Sequence, residues 1–315
     1  DWGQDSSVDA SKPLSILKHV GDAPLLMVAG RSKPQPEGYE LLASVVPRAF
    51  YYAQQVNEFG ADPEQAAKLK KVAEEFGPLL KKFDKITRDS LQPALADGQA
   101  ALVVDAKTTH KQWHSEMPES AKPLALPSPA LVVGVKDSAK LQQAAEGYFG
   151  LLQEALDKLH KLDPENVPEF KIPAPQSRDF PTGKIYYYSL PEEAGLAKIV
   201  APNAGLTGEF AVLSLLPQQT RRLLEPSTLT AGGPLANVDR PLAAAAIVDF
   251  AGMIDLLGAW LDYGTNLAPP EAQLGLAQVP SILPLLKCWR GATAVSYKEG
   301  TATVTHSESH FADLP

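Results

Sequence analysis

A chain of 315 residues that is 44% hydrophobic and 21% charged is long enough for one large globular domain or two medium ones. Its net charge of −8, with no basic block, argues against nucleic acid as a partner. The single cysteine, Cys288, excludes a disulfide within the chain and a cysteine-rich zinc site. The apolar runs are well under the 18 residues that a transmembrane helix needs, so no transmembrane segment is predicted.

The amino-terminal stretch, residues 1–21, is predicted to be a polar tail. The chain begins at Asp1 without a methionine. This fits a processed precursor, and we therefore expect an extracytoplasmic location, periplasmic or secreted. The apolar run at residues 25–29, bounded by Pro24 and Gly30, predicts a buried strand.

Two helices are predicted after this strand. The first covers residues 38–59, and the second begins at Asp62-Pro63-Glu64, where an Asp cap precedes Pro at the first helical position. An apolar stripe at three- and four-residue spacing predicts that the second helix faces a core, with a partner-binding helix as the alternative. The stripe consists of Leu69, Val72, Phe76, Leu79 or Leu80, Phe83 and Ile86.

Further strands are predicted at residues 100–104 and 130–135. Asp137 or the serine after it caps the helix that follows. Residues 210–216 and then 217–224 predict a second strand–helix step of the same kind.

Proline-rich residues 163–183 predict a linker or a long surface loop. We expect it to separate a first α/β half at residues 22–162 from a second at 184–315. The chain is predicted to end in a hairpin of strands 292–297 and 301–311.

Three short segments recur later in the chain in the same order, which indicates an internal duplication. The pairs are residues 22–25 with 239–242, 78–81 with 284–287, and 98–103 with 300–305. The predicted fold class is α+β, or mixed α/β. It has two related halves of strand–helix–helix–strand units, with sheets covered by amphipathic helices.

Four of the six histidines form two His-x3-His pairs, His110 with His114 and His306 with His310. On a helix, such a pair shares a face and can bind one metal ion. On a strand, the two imidazoles would lie about 13 Å apart, too far for one ion. Around the second pair, Thr303, Thr305 and Ser307 alternate with Val304, His306, Glu308 and His310, which favours a strand there. These four residues are the candidate metal ligands, and dispersed histidines without a ligand role are the alternative.

Carboxylates and aromatic side chains give weaker signals. Asp105 and Asp249 end two apolar strands and could act as an acid, a base or a metal ligand, or could cap the next element. Trp113 and the tyrosines at 186–188 could stack on a flat ligand, or could pack within strands.

Four segments resemble an uncharacterised group of exported bacterial proteins of planctomycete type, a class of domains of unknown function. They are IYYYSLP at 185–191, APNAGL at 201–206, FAVLSLL at 210–216, and KDSAKL at 136–141 after an apolar run. The resemblance implies an extracytoplasmic location and supplies no catalytic residue.

The chain lacks a Gly-x-Ser-x-Gly elbow, a Walker loop, a Gly-x-Gly-x-x-Gly motif and a His-Glu-x-x-His motif. We therefore expect a non-enzymatic, exported binding or scaffold protein with no cofactor and with a protein or small-molecule partner. The alternative is a metal-dependent hydrolase or metal-binding protein that uses the histidine pairs. A third possibility is a degenerate enzyme fold retained for assembly.

Overall fold

The structure, a computed structural model, describes residues 8–34, 39–41, 43–45, 48, 52, 63–269, 271 and 279–312. The chain divides into two compact units. The first comprises Asp1–Lys33, Gly98–Gly134 and Pro175–Pro315, and the second comprises Pro34–Asp97 and Val135–Ala174. The second unit is thus assembled from two excursions of the chain out of the first. The predicted linker at 163–183 contains one of the crossings between the units.

The first unit contains all twelve strands found in the described part of the chain. They are β1 (Leu26–Arg31), β2 (Gln99–Asp105), β3 (Thr109–His110), β4 (Leu124–Ala125), β5 (Ser128–Gly134), β6 (Gln176–Phe180), β7 (Gly183–Tyr187), β8 (Asn203–Leu206), β9 (Phe210–Ser214), β10 (Ala244–Asp249), β11 (Trp289–Glu299) and β12 (Ala302–Phe311). Ten of these described strands form one sheet in the order β12-β11-β10-β1-β2-β5-β9-β8-β7-β6, and β3 pairs with β4. Every neighbouring pair in the sheet is antiparallel.

The core of the first unit lies on one side of this sheet. Along β2 and β5, every second side chain is buried, as expected for strands that face a core on one side. Met27, Val103, Val132 and Val212 are completely buried in this layer. Side chains from the helix α3 (Pro217–Leu224) belong to the same cluster and cover this side of the sheet.

Residues 14–20 belong to this core, in contrast to the polar tail predicted for residues 1–21, of which residues 1–7 lie outside the described part of the chain. Residues Ser15–His19 form a 3-10 helix whose apolar side chains enter the core cluster. Leu14, Ile16, Leu17 and Val20 are each at most 2% exposed. The amide of Ile16 donates to Oε1 of Gln99 at 3.1 Å, and the Arg31 guanidinium donates to two carbonyls of the segment. The prediction missed this because the four apolar residues are interleaved with polar ones.

The second unit is helical in its described residues. Helix α1 (Pro63–Ile86) continues through a π-helical turn at Thr87–Leu91 into Gln92–Ala94. Helix α2 (Ser138–Leu162) begins where Asp137 accepts a hydrogen bond from the amide of Lys140, as the sequence predicted. The helix predicted at 38–59 lies largely outside the described residues.

The apolar stripe of α1 is only partly buried. Leu79 is 5% exposed and packs as a core residue, as predicted. Phe83 is 45% exposed, although the predicted stripe included it, and its ring lies 5.3 Å from that of Tyr148 on α2. The side chain of Phe83 therefore sits at the rim of the α1–α2 contact.

Two further helices of the first unit are α4 (Phe250–Leu267) and α5 (Val279–Leu286). Asp249 caps α4 by accepting a hydrogen bond from the amide of Gly252 at 2.9 Å. In the part of the chain that the structure describes, no helix combines the length and the apolar character needed to cross a membrane.

Helices and an antiparallel sheet together confirm the predicted α+β class. The segment 163–183, expected to be a loop, contains the edge strand β6. The predicted carboxy-terminal hairpin is confirmed as β11 and β12.

Candidate functional site

The side of the sheet opposite the core exposes a row of large apolar side chains. Val28 on β1 lies opposite Leu102 on β2, Leu102 opposite Leu131 on β5, and Leu131 opposite Leu213 on β9. Their exposed fractions are 52%, 44%, 40% and 50%, respectively. Neighbouring strands are about 4.8 Å apart, so the row extends about 14 Å across the sheet. We call these four residues the open-face row.

Small or apolar residues extend the open-face row in every direction. In the same register, Ala246 follows Val28 on one side and Ala204 follows Leu213 on the other. Along the strands, Ala100 and Pro129 are exposed on the same face. All open-face positions on β1, β2, β5, β9 and β10 are uncharged and apolar. They are Leu26, Val28, Gly30, Ala100, Leu102, Val104, Pro129, Leu131, Val133, Ala211, Leu213, Ala244, Ala246 and Val248.

Covering this face with another apolar surface would release a substantial free energy. Full burial of a Val or Leu side chain is worth about 1.5–3 kcal/mol. Burying the exposed half of the four open-face side chains would therefore contribute about 3–6 kcal/mol. Contiguous exposed apolar surface of this kind marks interaction sites on folded proteins. The open-face row is the candidate functional site.

Sequence reasoning predicted the strands of this site but not the site itself. The apolar run at β2 and the one at β5 place apolar residues on both sides of their strands. A strand of this composition is expected to be buried on both faces. Strand pairing across the whole sheet decides which face of these strands stays exposed. The same pairing places Leu102 beside Leu131.

The first histidine pair does not form a metal site with the second. His110 is half-buried on β3, with Nδ1 2.7 Å from the backbone carbonyl oxygen of Gln112. His114 lies in a loop, and its Nδ1 accepts a hydrogen bond from the amide of Glu116 at 3.2 Å. The two residues are not on a helix, so the geometry in which an i, i+4 pair shares one ion is missing.

The second pair lies on the edge strand β12, where the alternation predicted a strand. His306 and His310 point to the same face, four residues apart, and this spacing separates them by about 13 Å. His306 Nε2 lies 3.5 Å from Oε1 of Glu308, and His310 Nε2 lies 3.4 Å from the Thr293 hydroxyl.

The prediction that His110, His114, His306 and His310 bind metal receives no geometric support. Within the described residues, no three His, Cys, Asp or Glu side chains come together as a metal ion would require. The physical reason is that His110 lies on the short strand β3 whereas His114 lies beyond it at an isolated bridge with Leu196, and the second pair is spread along an extended strand.

Asp105, a candidate acid or base from the sequence, is engaged in a buried ion pair. Its side chain is 5% exposed, and both carboxylate oxygens accept hydrogen bonds from Nη2 of Arg222, at 3.2 and 3.1 Å. Lys107 lies beside this pair and forms an ion pair with Asp22. Burial, with the Arg222 charge adding to it, lowers the pKa of Lys107. The cluster is internally neutralised, which fits a structural role.

His19 is buried in the core of the first unit. Its ring lies 4.1 Å from the ring of Phe210, and Nδ1 is 2.8 Å from the carbonyl oxygen of Leu223. Burial lowers the pKa of His19 because the imidazolium loses its hydration, although the Leu223 carbonyl acts in the opposite direction. His19 is therefore a neutral packing residue at neutral pH.

Trp113, considered as a stacking residue, is buried. Its side chain is part of a small apolar cluster with Leu124 and Leu216, and its indole nitrogen donates to the carbonyl of Leu124 at 2.9 Å. The indole ring is therefore used in packing and is not free to stack on a ligand.

Two surface cavities include charged side chains in their linings. One, of about 470 Å³, is lined by Thr109, His110, Lys111, Gln112, Glu119 and Pro123. The other, of about 310 Å³, lies between α4 and α5 and includes the Asp255–Lys287 ion pair. Neither brings together a nucleophile with a base, or converging metal ligands, among its described residues.

Comparison of the chain with protein-family models, with curated proteins and with solved structures gives no match in any of the three. The candidate site therefore depends on the geometry of this chain alone.

Proposed function

We propose that this chain is a non-enzymatic binding or scaffold protein whose contact surface is the open-face row. The observation that carries the proposal is the register of Val28, Leu102, Leu131 and Leu213, which aligns four half-exposed apolar side chains on neighbouring strands whose positions on this face are uncharged. A catalytic site would need converging polar groups, and this face has none at its central strands.

The occupant we assign to this face is an apolar surface of a partner protein. Small-molecule sites are concave and bury most of their ligand, whereas each side chain of the open-face row is 40–52% exposed on a strand surface. A sheet with one covered face is completed by a second layer that packs against the other. Three rows of side chains on four strands present roughly 400 Å², about half of one partner's share in a standard interface.

Titration with the apolar dye bis-ANS tests this proposal. Replacing two central residues, Leu102→Ser and Leu131→Ser together, should remove most of the dye fluorescence, because the charge-free patch is interrupted at its centre. The matched control is Leu257→Ser with Leu286→Ser, which changes two leucines of 47% and 44% exposure on α4 and α5. Circular dichroism of both variants establishes that the fold is retained.

Two outcomes would contradict the proposal. Equal dye binding by wild type and by the open-face double variant would show that the row is not an accessible apolar surface. The second outcome is binding of a fluorescent fatty acid. If this binding saturates at one molecule per chain and requires intact Leu102 and Leu131, the ligand of the open-face row is a small apolar molecule and not a protein.

We also propose that the protein is exported and belongs with the exported bacterial proteins that its segments at 185–191, 201–206 and 210–216 resemble. Support comes from those segments, whose resemblance implies an extracytoplasmic location. Fractionation of the producing cells, followed by immunodetection, tests the location. Recovery of the mature chain only with cytoplasmic markers would contradict it.

The finer architecture that we infer is a duplicated strand–helix–helix–strand unit. It is supported by one pair of neighbouring strands in the sheet, since β1 and β10 are antiparallel with Val28 opposite Ala246. Each is followed along the chain by helical residues and then by a strand that pairs with it, β2 with β1 and β11 with β10. An antiparallel neighbouring pair is the arrangement that a local twofold axis between two copies produces.

A further inference from the structure

The two edges of the ten-stranded sheet are built differently. Strand β6 is five residues long, carries Arg178 and Asp179, and is flanked by Pro175 and Pro181. Short length, charges and proline are the devices by which proteins prevent another strand from pairing with an edge. This edge is protected.

The opposite edge, β12, lacks these devices. It is ten residues long, contains no proline, lysine or arginine, and has Glu308 as its one charged residue besides histidine. Within the described part of the chain it pairs with β11 on one side only. Seven of its residues are exposed: Ala302, Thr303, Thr305, His306, Ser307, Ser309 and Phe311. An edge of this length leaves a row of backbone donors and acceptors available to another strand.

The side chains of β12 are complementary to a second copy of the same strand. In an antiparallel pair around a twofold axis at Ser307, His306 of each copy lies opposite Glu308 of the other. Thr305 then lies opposite Ser309, and the two Ser307 residues face each other. An imidazole N–H can donate a hydrogen bond to a facing carboxylate, and Ser/Thr pairs across neighbouring strands are favourable.

The two neighbouring registers of the β12–β12 pair are less favourable, which favours the register centred on Ser307. Moving the axis one residue towards the carboxy terminus places Glu308 opposite Glu308, and moving it one residue the other way places His306 opposite His306. Two carboxylates directly opposite each other on neighbouring strands are unfavourable, and two histidines that face each other lose the hydrogen bond that each can make with Glu308. A twofold axis perpendicular to the sheet also keeps the core faces of both copies on the same side, so the pairing continues the sheet without a break.

We infer that β12 pairs with β12 of a second copy of this chain, with Ser307 on the twofold axis. This surface is separate from the open-face row, since the open-face residues lie on β1, β2, β5 and β9. The inference therefore adds a self-association surface to a proposed binding protein and does not depend on the apolar face being occupied.

A register-specific disulfide tests the pairing directly. In a Cys288→Ser background, Ser307→Cys should form a covalent dimer under mild oxidation. Residues directly opposite on antiparallel strands have Cα atoms about 4.5–5.5 Å apart, within the range of a disulfide. The matched control, Thr303→Cys, places the two thiols about 26 Å apart and should remain monomeric. Failure of Ser307→Cys to cross-link, or equal cross-linking at both positions, would overturn the inference.

Sedimentation velocity of the otherwise native chain provides the second test. The wild type should show a concentration-dependent dimer. Ser307→Lys should be monomeric because it places two lysines face to face on the axis. Ser177→Lys on the protected edge β6 is the matched control and should still dimerise. A dimer that survives Ser307→Lys with its fold intact, or that is lost equally in Ser177→Lys, would contradict pairing through β12.

A charge exchange tests the register independently of the axis residue. His306→Glu should weaken dimerisation by about tenfold, because it places two glutamates opposite each other twice per dimer. Combining it with Glu308→His should restore dimerisation, since the opposite pairs are recreated in reverse. If the double variant is as weak as the single one while remaining folded, the proposed register is wrong.

Discussion

Asp105 is a candidate acid or base in the sequence, and in the structure its ion pair fits a structural role. Its carboxylate is buried and accepts hydrogen bonds from Nη2 of Arg222, whose side chain is 34% exposed, and from the backbone amide of Lys107 at 3.3 Å. Removing one partner of such a pair leaves an uncompensated charge away from water. The ion pair is therefore required once the carboxylate is buried, even if the pair itself adds little net stability.

Arg222→Met is expected to lower the free energy of unfolding by about 1.5–3 kcal/mol, the range for hydrogen bonds to a charged group. The measurement is urea unfolding at pH 7. Arg221→Met is the matched control, because Arg221 forms an exposed pair with Glu225, and such pairs contribute about 0–1 kcal/mol. Equal losses in the two variants would contradict a structural role for the buried pair.

His19 gives the first unit a pH dependence of defined sign. Burial lowers its pKa in the folded protein below the ordinary histidine value, so the unfolded chain binds more protons as the pH falls. The stability is fully present above about pH 6.5, the unfolded value, and decreases as the pH falls from there towards the lower folded value.

Urea unfolding at pH 8, 7, 6 and 5 should therefore show stability falling below about pH 6.5, by up to about 1.4 kcal/mol per pH unit from this group. His19→Gln should flatten this part of the profile, whereas His160→Gln, on α2 of the second unit, should leave it unchanged. If the stability of the His19→Gln variant falls with decreasing pH as steeply as that of the wild type, His19 does not cause the pH dependence.

At the scale of elements, α1 combines a buried stripe with an exposed rim. Leu79→Ala is expected to cost about 2–5 kcal/mol, because it opens a cavity in the second unit. Phe83→Ala should cost less than about 2 kcal/mol, since its ring is 45% exposed. Thermal unfolding of the two variants checks the order. A larger loss for Phe83→Ala would indicate that its ring is buried.

The sequence predicts the helices and strands of this chain more successfully than it predicts which of their side chains are buried. Local signals, such as the Asp137 cap and the alternation around His306, correctly identify α2 and β12. Leu14 and Leu17 were missed as core residues because their burial depends on contacts with strands far along the chain. The open face of β2 could not be predicted either. Leu102 and Val103 are equally apolar, and only sheet pairing separates the exposed side chain from the buried one.

At the scale of the whole molecule, metal content separates the proposed binding protein from the metal-dependent alternative. Protein purified without chelator is expected to contain zinc well below one ion per chain, because the two histidine pairs lie in different structural settings. Elemental analysis by mass spectrometry is the measurement. Near-stoichiometric zinc that is lost in the His110→Ala, His114→Ala variant would support metal-dependent function.

The sheet of the first unit has one face filled by its own core, and at strands β1, β2, β5 and β9 the other face is apolar and exposed. The proposed binding function requires that these side chains are accessible in the free protein. Contiguous exposed apolar surface of this kind marks interaction sites, which is why we propose a partner surface here.

Hydroxyl-radical footprinting of the free protein tests this claim most directly. Leu102, Leu131 and Leu213 should be oxidised at rates close to that of Leu257, which is 47% exposed. Their rates should be well above those of Leu17 and Leu242, which are at most 1% exposed. Open-face leucines that are protected as strongly as Leu17 and Leu242 would show that the face is already covered in the free chain. That result would contradict the proposed contact surface.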